Sequence, residues 1–150
     1  GWVPFILDRM DKHMWNQSWT GLDVGASTVT EIWQKNFLGC FITEPTNLRL
    51  VDRMGEHTVA WECDYPHSDS TWPESPEKLM AEFVAAGTGD DLIHKITWEN
   101  ACAFYNWDPF QHTPKDQATV GALRALATDV DTSVTSKAAY RERYVASAGD

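Results

Sequence analysis

Two short apolar segments, separated by one amphipathic segment, most constrain what this chain can fold into. Residues 36–43 and 58–63 are predicted to be buried strands, because apolar side chains run through each almost without interruption. The intervening segment, from Pro45 to Gly55, is predicted to be a helix with one apolar face, formed by Leu48, Val51 and Met54. A helical crossover of this length joins parallel strands, so the sequence predicts two parallel strands in one sheet with this helix packed on it.

Other segments have helical patterns, separated by polar loops over residues 16–29 and 64–74. Helices are predicted over residues 3–15, from Thr30 through Gln34, from a cap at Ser75 to Gly87, from Asp90 or Asp91 to Phe104, and over residues 118–127. Their predicted apolar faces comprise Val3, Ile6, Leu7, Met10, Met14, Leu79, Met80, Phe83, Val84, Ile93, Ile96, Asn100 and Phe104. Residues 128–150 are predicted to be flexible or docked on a neighbour.

This alternation of strands and helices is typical of an α/β fold with right-handed crossovers. Two strands make a poor sheet by themselves, whereas a complete β/α barrel has eight strands and typically ~250 residues. Two strands would be the last quarter of such a barrel. The chain opens on Gly1 rather than Met, so we expect it to begin inside a longer protein or after processing.

The charge and cysteine content narrow the function classes. The net charge is −10, and nucleic-acid or anionic-membrane partners are not expected because phosphate attraction needs clustered positive charge. No apolar run approaches the roughly 20 residues of a membrane span. Cys40, Cys63 and Cys102 are odd in number and widely spaced. They therefore fit reduced thiols of a cytoplasmic protein better than a disulfide framework.

The most informative polar residues directly follow the second predicted strand. Asp64 stands at the strand's C-terminal end, and His67 and Asp69 follow on a turn-rich loop. In β/α barrels such positions line the active site, where a carboxylate suits a metal ion or a proton transfer. Asp-x-Pro is also common turn chemistry, and spacing alone leaves both interpretations open. Cys63 has no histidine paired to it by motif and is predicted to be a buried packing residue.

Three separated segments carry a family resemblance. They are Gly1-Trp2-Val3-Pro4-Phe5-Ile6-Leu7-Asp8-Arg9-Met10-Asp11, then Asp64-Tyr65-Pro66-His67 with Trp72-Pro73, and finally Glu99-Asn100-Ala101. In this order they resemble the amidohydrolase superfamily, specifically its amidohydrolase-2 branch, which includes the aminocarboxymuconate-semialdehyde decarboxylase-like enzymes. The resemblance implies that residues 1–107 are the C-terminal portion of a (β/α)8 TIM barrel. Residues 108–150 would then be a partly helical or flexible extension.

The resemblance also implies roles for residues of the 64–69 segment. Asp64 falls on the family's metal-binding and proton-handling aspartate, so it is expected to be a metal ligand and a catalytic residue. His67 is expected to be catalytic and to bind substrate, and Asp69 to bind substrate beside it. The implied cofactor is a divalent metal, expected to be zinc. This chain alone is not expected to retain it, because the family's His-x-His pair does not occur in the 150 residues.

Three functions are compatible with this resemblance. The first is a metal-dependent hydrolase, in which metal-activated water attacks a small cyclic or carboxylated organic substrate. The second is a non-oxidative metal-dependent decarboxylase, a lyase on the same fold, since fold does not choose between the two chemistries. The third is an inactive fragment or a subunit that completes a barrel with another chain. The expected partners are a small-molecule substrate and the remainder of the barrel, and a homo-oligomer stays open.

Overall fold

The computed structural model describes residues 1–21, 25, 27–133, 136–139 and 141–142. In chain order the regular elements are α1 (Trp2–Asn16), α2 (Val29–Asn36), β1 (Gly39–Phe41), α3 (Pro45–Met54), β2 (Val59–Trp61), α4 (Ser75–Ala86), α5 (Asp90–His94), α6 (Asn100–Tyr105) and α7 (Val120–Leu126). Short 3₁₀ turns occupy Ser18–Thr20 and Glu56–Thr58, and a π-helical turn occupies Lys95–Glu99. The chain forms two compact units, Gly1–Pro114 and Lys115–Asp150. Across the described ranges, no helix combines the length and apolarity needed to cross a membrane.

The sheet consists of β1 and β2, which pair in parallel as predicted, with Gly39 opposite Val59 and Phe41 opposite Trp61. Each strand has 3 residues and is shorter than its predicted run. Past the end of β1, the amide of Ile42 donates to the Glu44 carboxylate at 3.0 Å rather than to a strand. The 3₁₀ turn Glu56–Thr58 occupies the approach to β2. Local hydrogen bonds therefore end the pairing of β1 with β2 after fewer residues than the apolar segments of the sequence predict.

Helix α3 packs on this sheet through the three residues predicted for its apolar face. Leu48, Val51 and Met54 are all buried, and the helix ends at Gly55, whose φ of 98° favours glycine. The core they enter joins both strands with α4 and the π-helical turn. Its buried members are Phe41, Leu48, Val51, Met54, Val59, Leu79, Phe83 and Ile96. The strand–helix–strand unit predicted from the sequence is confirmed.

Other predicted apolar faces are only partly buried. In α4, Leu79 and Phe83 are buried while Met80 and Val84 are exposed. In the segment that follows, Ile96 and Asn100 are buried, but Phe104 is exposed. Met10 of α1 is likewise exposed, although Leu7 is buried. In each helix, one row of apolar side chains packs into the core. The neighbouring apolar side chains, which the pattern also predicts to be buried, are not covered by other described residues.

The capping residues differ from those predicted. Thr28, not Thr30, caps α2, in a capping box completed by Glu31. The hydroxyl of Thr30 instead donates to the carboxylate of Asp11 on α1. In α4, Ser75 is the first helical residue and makes no cap hydrogen bond. Both hydroxyls form tertiary contacts, which a local pattern does not encode.

The second unit contains α7, which confirms the helix predicted over residues 118–127. Thr119 caps it by accepting a hydrogen bond from the amide of Ala122 at 3.2 Å. Residues 134–135, 140 and 143–150 of the segment predicted to be flexible or docked lie outside the described residues, as do residues 22–24 and 26 of the loop predicted over residues 16–29.

Candidate active site after the second strand

Asp64 follows β2 by three residues and adopts a left-handed backbone conformation with φ of 54°. Aspartate is among the few non-glycine residues that tolerate this region, because its short carboxylate can hydrogen bond locally. Its carbonyl accepts from the amide of His67 at 2.8 Å, which closes a tight turn. The turn places the Asp64 carboxylate beyond the C-terminal end of a parallel strand.

The same turn brings two of the predicted site residues into contact. His67 Nδ1 lies 2.7 Å from Asp64 Oδ1, with side-chain exposures of 73% and 28% respectively. The hydrogen bond that His67 donates to Asp64, together with the charge of Asp64, raises the pKa of His67 above the ordinary value, and the charge of Asp69 acts in the same direction. Relative to a free imidazole, the imidazolium form is favoured, and in that form both ring nitrogens are donors.

Asp69 is placed differently from this pair. It lies on the same loop and is exposed, and it acts on His67 through its charge rather than through a hydrogen bond in the described structure. The structure thus brings Asp64 and His67 together and leaves Asp69 as a neighbouring negative charge.

Cys63 makes polar contacts that were not predicted. Its Sγ lies 3.4 Å from Ser70 Oγ and 3.3 Å from Ser75 Oγ, and the residue is half-buried. Burial by itself would raise the pKa of this thiol, but hydrogen bonds from both hydroxyls and from the amides of Tyr65 and Trp72 outweigh it and lower the pKa. Cys63 is therefore a half-buried, hydrogen-bonded thiol and not the buried packing residue predicted from the sequence.

Two aromatic rings flank this loop and were not singled out from the sequence. The Tyr65 and Trp72 ring centroids lie 5.3 Å apart with planes inclined by 52°. Both side chains are exposed, at 64% and 41%. Each ring precedes a proline, which is the one local signal that could have paired them. Together they provide apolar surface close in sequence to the Asp64–His67 pair.

A further carboxyl pair involves the segment that follows β1. Glu44 lies just beyond that strand, and Glu82 lies on α4. Burial raises the pKa of Glu82, and the charge of Glu44 raises it further. Glu82 Oε2 is buried with no hydrogen-bond partner in the part of the chain that the structure describes. Neither glutamate stands in a recognisable motif, so the sequence offers no signal for the pair.

The described residues around Asp64 do not form a complete site for the expected metal. Within the described ranges, no three His, Cys, Asp or Glu side chains approach closely enough to hold an ion together. Catalytic zinc sites usually use three protein ligands. Asp64 can supply one carboxylate ligand, and the described residues do not complete a site around it.

A family model described as Amidohydrolase matches residues 4–107, which is more than half of the chain. No curated protein matches the chain.

Proposed function

Because the chain belongs to the amidohydrolase superfamily, in its amidohydrolase-2 branch, we propose that it carries part of the active site of a metal-dependent hydrolase. The observation that carries the proposal is the Asp64–His67 pair, held at 2.7 Å beyond the end of a parallel strand. The strand terminus is where β/α barrels keep their reacting groups. The proposed substrate is a small cyclic or carboxylated organic molecule.

Each residue of the pair has a distinct role in this proposal. Asp64 is the carboxylate ligand and accepts a proton from the attacking water. His67 donates from Nδ1 to Asp64, and the proton on Nε2 is then available to polarise a substrate carbonyl. A divalent ion such as zinc, when bound, supplies water activation near neutral pH. Asp69 is proposed to contact substrate from the same loop.

We propose that this chain is the C-terminal portion of a (β/α)8 barrel and that the remainder of the barrel supplies the missing metal ligands. Two parallel strands are a quarter of the eight that such a barrel has. The exposed apolar residues of α4, Met80 and Val84, provide surface for further packing. A cytoplasmic location is also proposed, from the three cysteines, all of which are free thiols.

The test uses the complete protein supplied with zinc. Ester, lactone and amide probes are assayed for cleavage, and aromatic and enol carboxylates are assayed for release of CO₂. We expect cleavage. Substitution of residues that hydrogen bond to a metal ligand typically lowers activity roughly 10–100-fold, and we expect Asp64→Asn, which alters a ligand, to lower the cleavage rate by more than that. Asparagine also tolerates the left-handed conformation, so this variant separates chemistry from turn geometry.

Three outcomes would contradict the proposal. Release of CO₂ without cleavage of any probe would assign the protein to the decarboxylase alternative. Near-normal turnover by Asp64→Asn, with an unchanged melting profile, would show that Asp64 only makes a turn. Absence of either activity in the complete zinc-loaded protein would favour the inactive or barrel-completing alternative.

A further inference from the structure

The loop that carries the candidate site has little apolar burial to hold it. Of residues 65–74, only Thr71 is buried. Tyr65 and Trp72, the large apolar side chains of this segment, are both exposed. Hydrophobic packing of the loop itself is therefore a weak restraint on His67, and hydrogen bonds must hold its position.

Those hydrogen bonds converge on one sulfur atom. Cys63 precedes Asp64, Ser70 lies three residues beyond His67, and Ser75 is the first residue of α4. The two contacts to Cys63 Sγ, at 3.4 Å and 3.3 Å, therefore join the strand end, the far side of the loop and the next helix.

The neighbouring donors leave the protons of both serine hydroxyls available for the sulfur. Thr71 Oγ1 donates to Ser75 Oγ at 2.9 Å, and the amide of Trp72 donates to Ser70 Oγ at 3.2 Å. Each serine oxygen is already an acceptor, so its own proton is available for the sulfur. Ser75 is 5% exposed and Thr71 is 8% exposed, so an unpaired hydroxyl at either position would be costly.

A continuous set of bonds connects this cluster to the candidate site. The amide of Ser70 donates to the His67 carbonyl at 3.2 Å, and the amide of His67 donates to the Asp64 carbonyl at 2.8 Å. A shift of Ser70 away from Cys63 would therefore move His67 relative to Asp64.

We propose that Cys63, Ser70 and Ser75 are positioning residues, whose hydrogen bonds hold His67 against Asp64 for the reaction. This inference rests on the proposed function of the Asp64–His67 pair. It assigns Cys63 no contact with substrate and no covalent chemistry. Cys63 would affect turnover indirectly, by fixing the distance and orientation of His67 relative to Asp64.

The test is NMR of the ¹⁵N-histidine-labelled chain at one fixed pH, which needs no turnover. Cys63→Ala and Ser70→Ala should shift the His67 ring signals towards those of Asp64→Asn. Cys63→Ser, which keeps a hydrogen-bonding atom, should restore most of the wild-type position. Ser68→Ala is the matched control, because Ser68 is exposed on the same loop and outside the cluster. The ring signals of His94 and the melting temperature report whether each variant is folded.

Unchanged His67 signals in folded Cys63→Ala and Ser70→Ala would overturn the proposal and leave the cluster a purely structural role. If Cys63→Ala does not fold, Ser70→Ala at its half-buried loop position decides the question alone. In the complete zinc-loaded protein, Cys63→Ala should lower kcat by about 10-fold or more with little change in KM, as outer partners of ligands commonly do. Failure of the wild-type protein to turn over any probe would count against the proposed function and not against the NMR result.

Discussion

At the scale of single residues, the candidate site is defined by backbone conformation as much as by side-chain chemistry. Asp64 occupies the left-handed region, which gives the following turn its direction and brings His67 back towards the carboxylate. A residue with a branched β-carbon would be strained at this position. The turn alone therefore restricts which residues can occupy position 64. Because an aspartate meets that restriction and also offers a carboxylate, Asp64 can both form the turn and act as a ligand.

The first prediction concerns the titration of His67. Because the hydrogen bond and charge of Asp64 raise the pKa of His67, we expect NMR titration of this chain to give His67 a higher pKa than free histidine. The folded state then holds the proton more tightly than the unfolded state. The pair's contribution to stability is present below the unfolded pKa and is lost as pH rises through the folded pKa. Asp64→Asn should return the His67 pKa towards the ordinary value, and an unaltered titration would show that the pair does not form in solution.

The residue scale is also where sequence-based prediction performed unevenly. Asp64 and His67 were predicted as site residues because a motif surrounds them, and the structure brings their side chains into contact. Cys63 was misassigned because the predicted strand ran to residue 63, whereas β2 ends at Trp61. Its partners Ser70 and Ser75 are reached only after the loop folds back, and no local spacing encodes that return.

At the scale of elements, polar side chains connect helices to the sheet and to one another. Asn100, which is 7% exposed, donates from Nδ2 to the carbonyls of Glu56 at 2.6 Å and Val59 at 2.8 Å. It thereby joins α6 to the start of β2. A predicted apolar stripe placed Asn100 correctly in the interior, but its role there is hydrogen bonding rather than packing.

The second prediction tests that connection. Asn100→Ala should lower the free energy of unfolding by about 1–3 kcal/mol, because the buried carbonyl of Val59 and the partly buried carbonyl of Glu56 lose their donor. Asn100→Asp should cost more, since a carboxylate would face the same two oxygens. Asn36→Ala is the control: its amide also donates to a carbonyl, that of Ile32 at 2.7 Å, but at an exposed position. Denaturant unfolding of the three variants measures the difference, and equal losses at positions 36 and 100 would contradict the prediction.

The third prediction concerns a charged connection among the first three helices. Arg53 of α3 bonds to Asp8 at 2.6 Å and to Thr30 at 2.8 Å, and Thr30 bonds to Asp11. Burial would raise the pKa of Asp11, but hydrogen bonds from the side chain and amide of Thr30, the amide of Val29 and Arg53 together lower it. The unfolded state therefore binds a proton at higher pH than the folded state does. This contribution to stability is present above the ordinary aspartate pKa and is lost as pH falls through the lowered one.

Urea unfolding between about pH 6 and about pH 3 tests the third prediction through its pH dependence. Asp11→Asn should reduce the loss of stability that the wild-type chain shows on acidification. It should also cost about 1–2 kcal/mol at neutral pH, within the range for hydrogen bonds to charged groups. Asp8→Asn is the matched control, because the Asp8 side chain is 69% exposed and exposed pairs contribute little. Identical pH profiles for Asp11→Asn and the wild type would disprove the assignment.

The elements themselves were predicted with unequal success, for physical reasons. The α3 helix was predicted well because Leu48, Val51 and Met54 satisfy one period and Gly55 ends it. The strands were predicted too long because apolar character marks burial, whereas a strand also needs a partner along its whole length. The cap of α2 was assigned to Thr30 instead of Thr28, although Glu31 follows Thr28 by three residues and completes a capping box that Thr30 cannot form; Thr30 contacts Asp11 instead.

At the scale of the whole molecule, the fourth prediction concerns metal content. One candidate ligand, Asp64, lies in a described structure that holds no cluster of three ligating side chains. We therefore expect the purified 150-residue chain to retain less than one zinc per chain after dialysis. Elemental analysis by mass spectrometry measures this, with the complete protein as the comparison. One tightly bound zinc per isolated chain would require ligands that the described residues do not provide.

The parallel pairing of β1 and β2 also has a consequence for the order of folding. Gly39 and Val59 face each other twenty positions apart in the chain, so the loop that must close to join the strands is short and its entropic cost is small. Helix α3 lies within that loop and contributes three of the core's buried side chains. Contacts that are close in sequence form faster than distant ones. The strand–helix–strand unit is thus the segment best suited to nucleate folding, and the Asp64 turn, which begins three residues after β2, would take its shape once that nucleus exists.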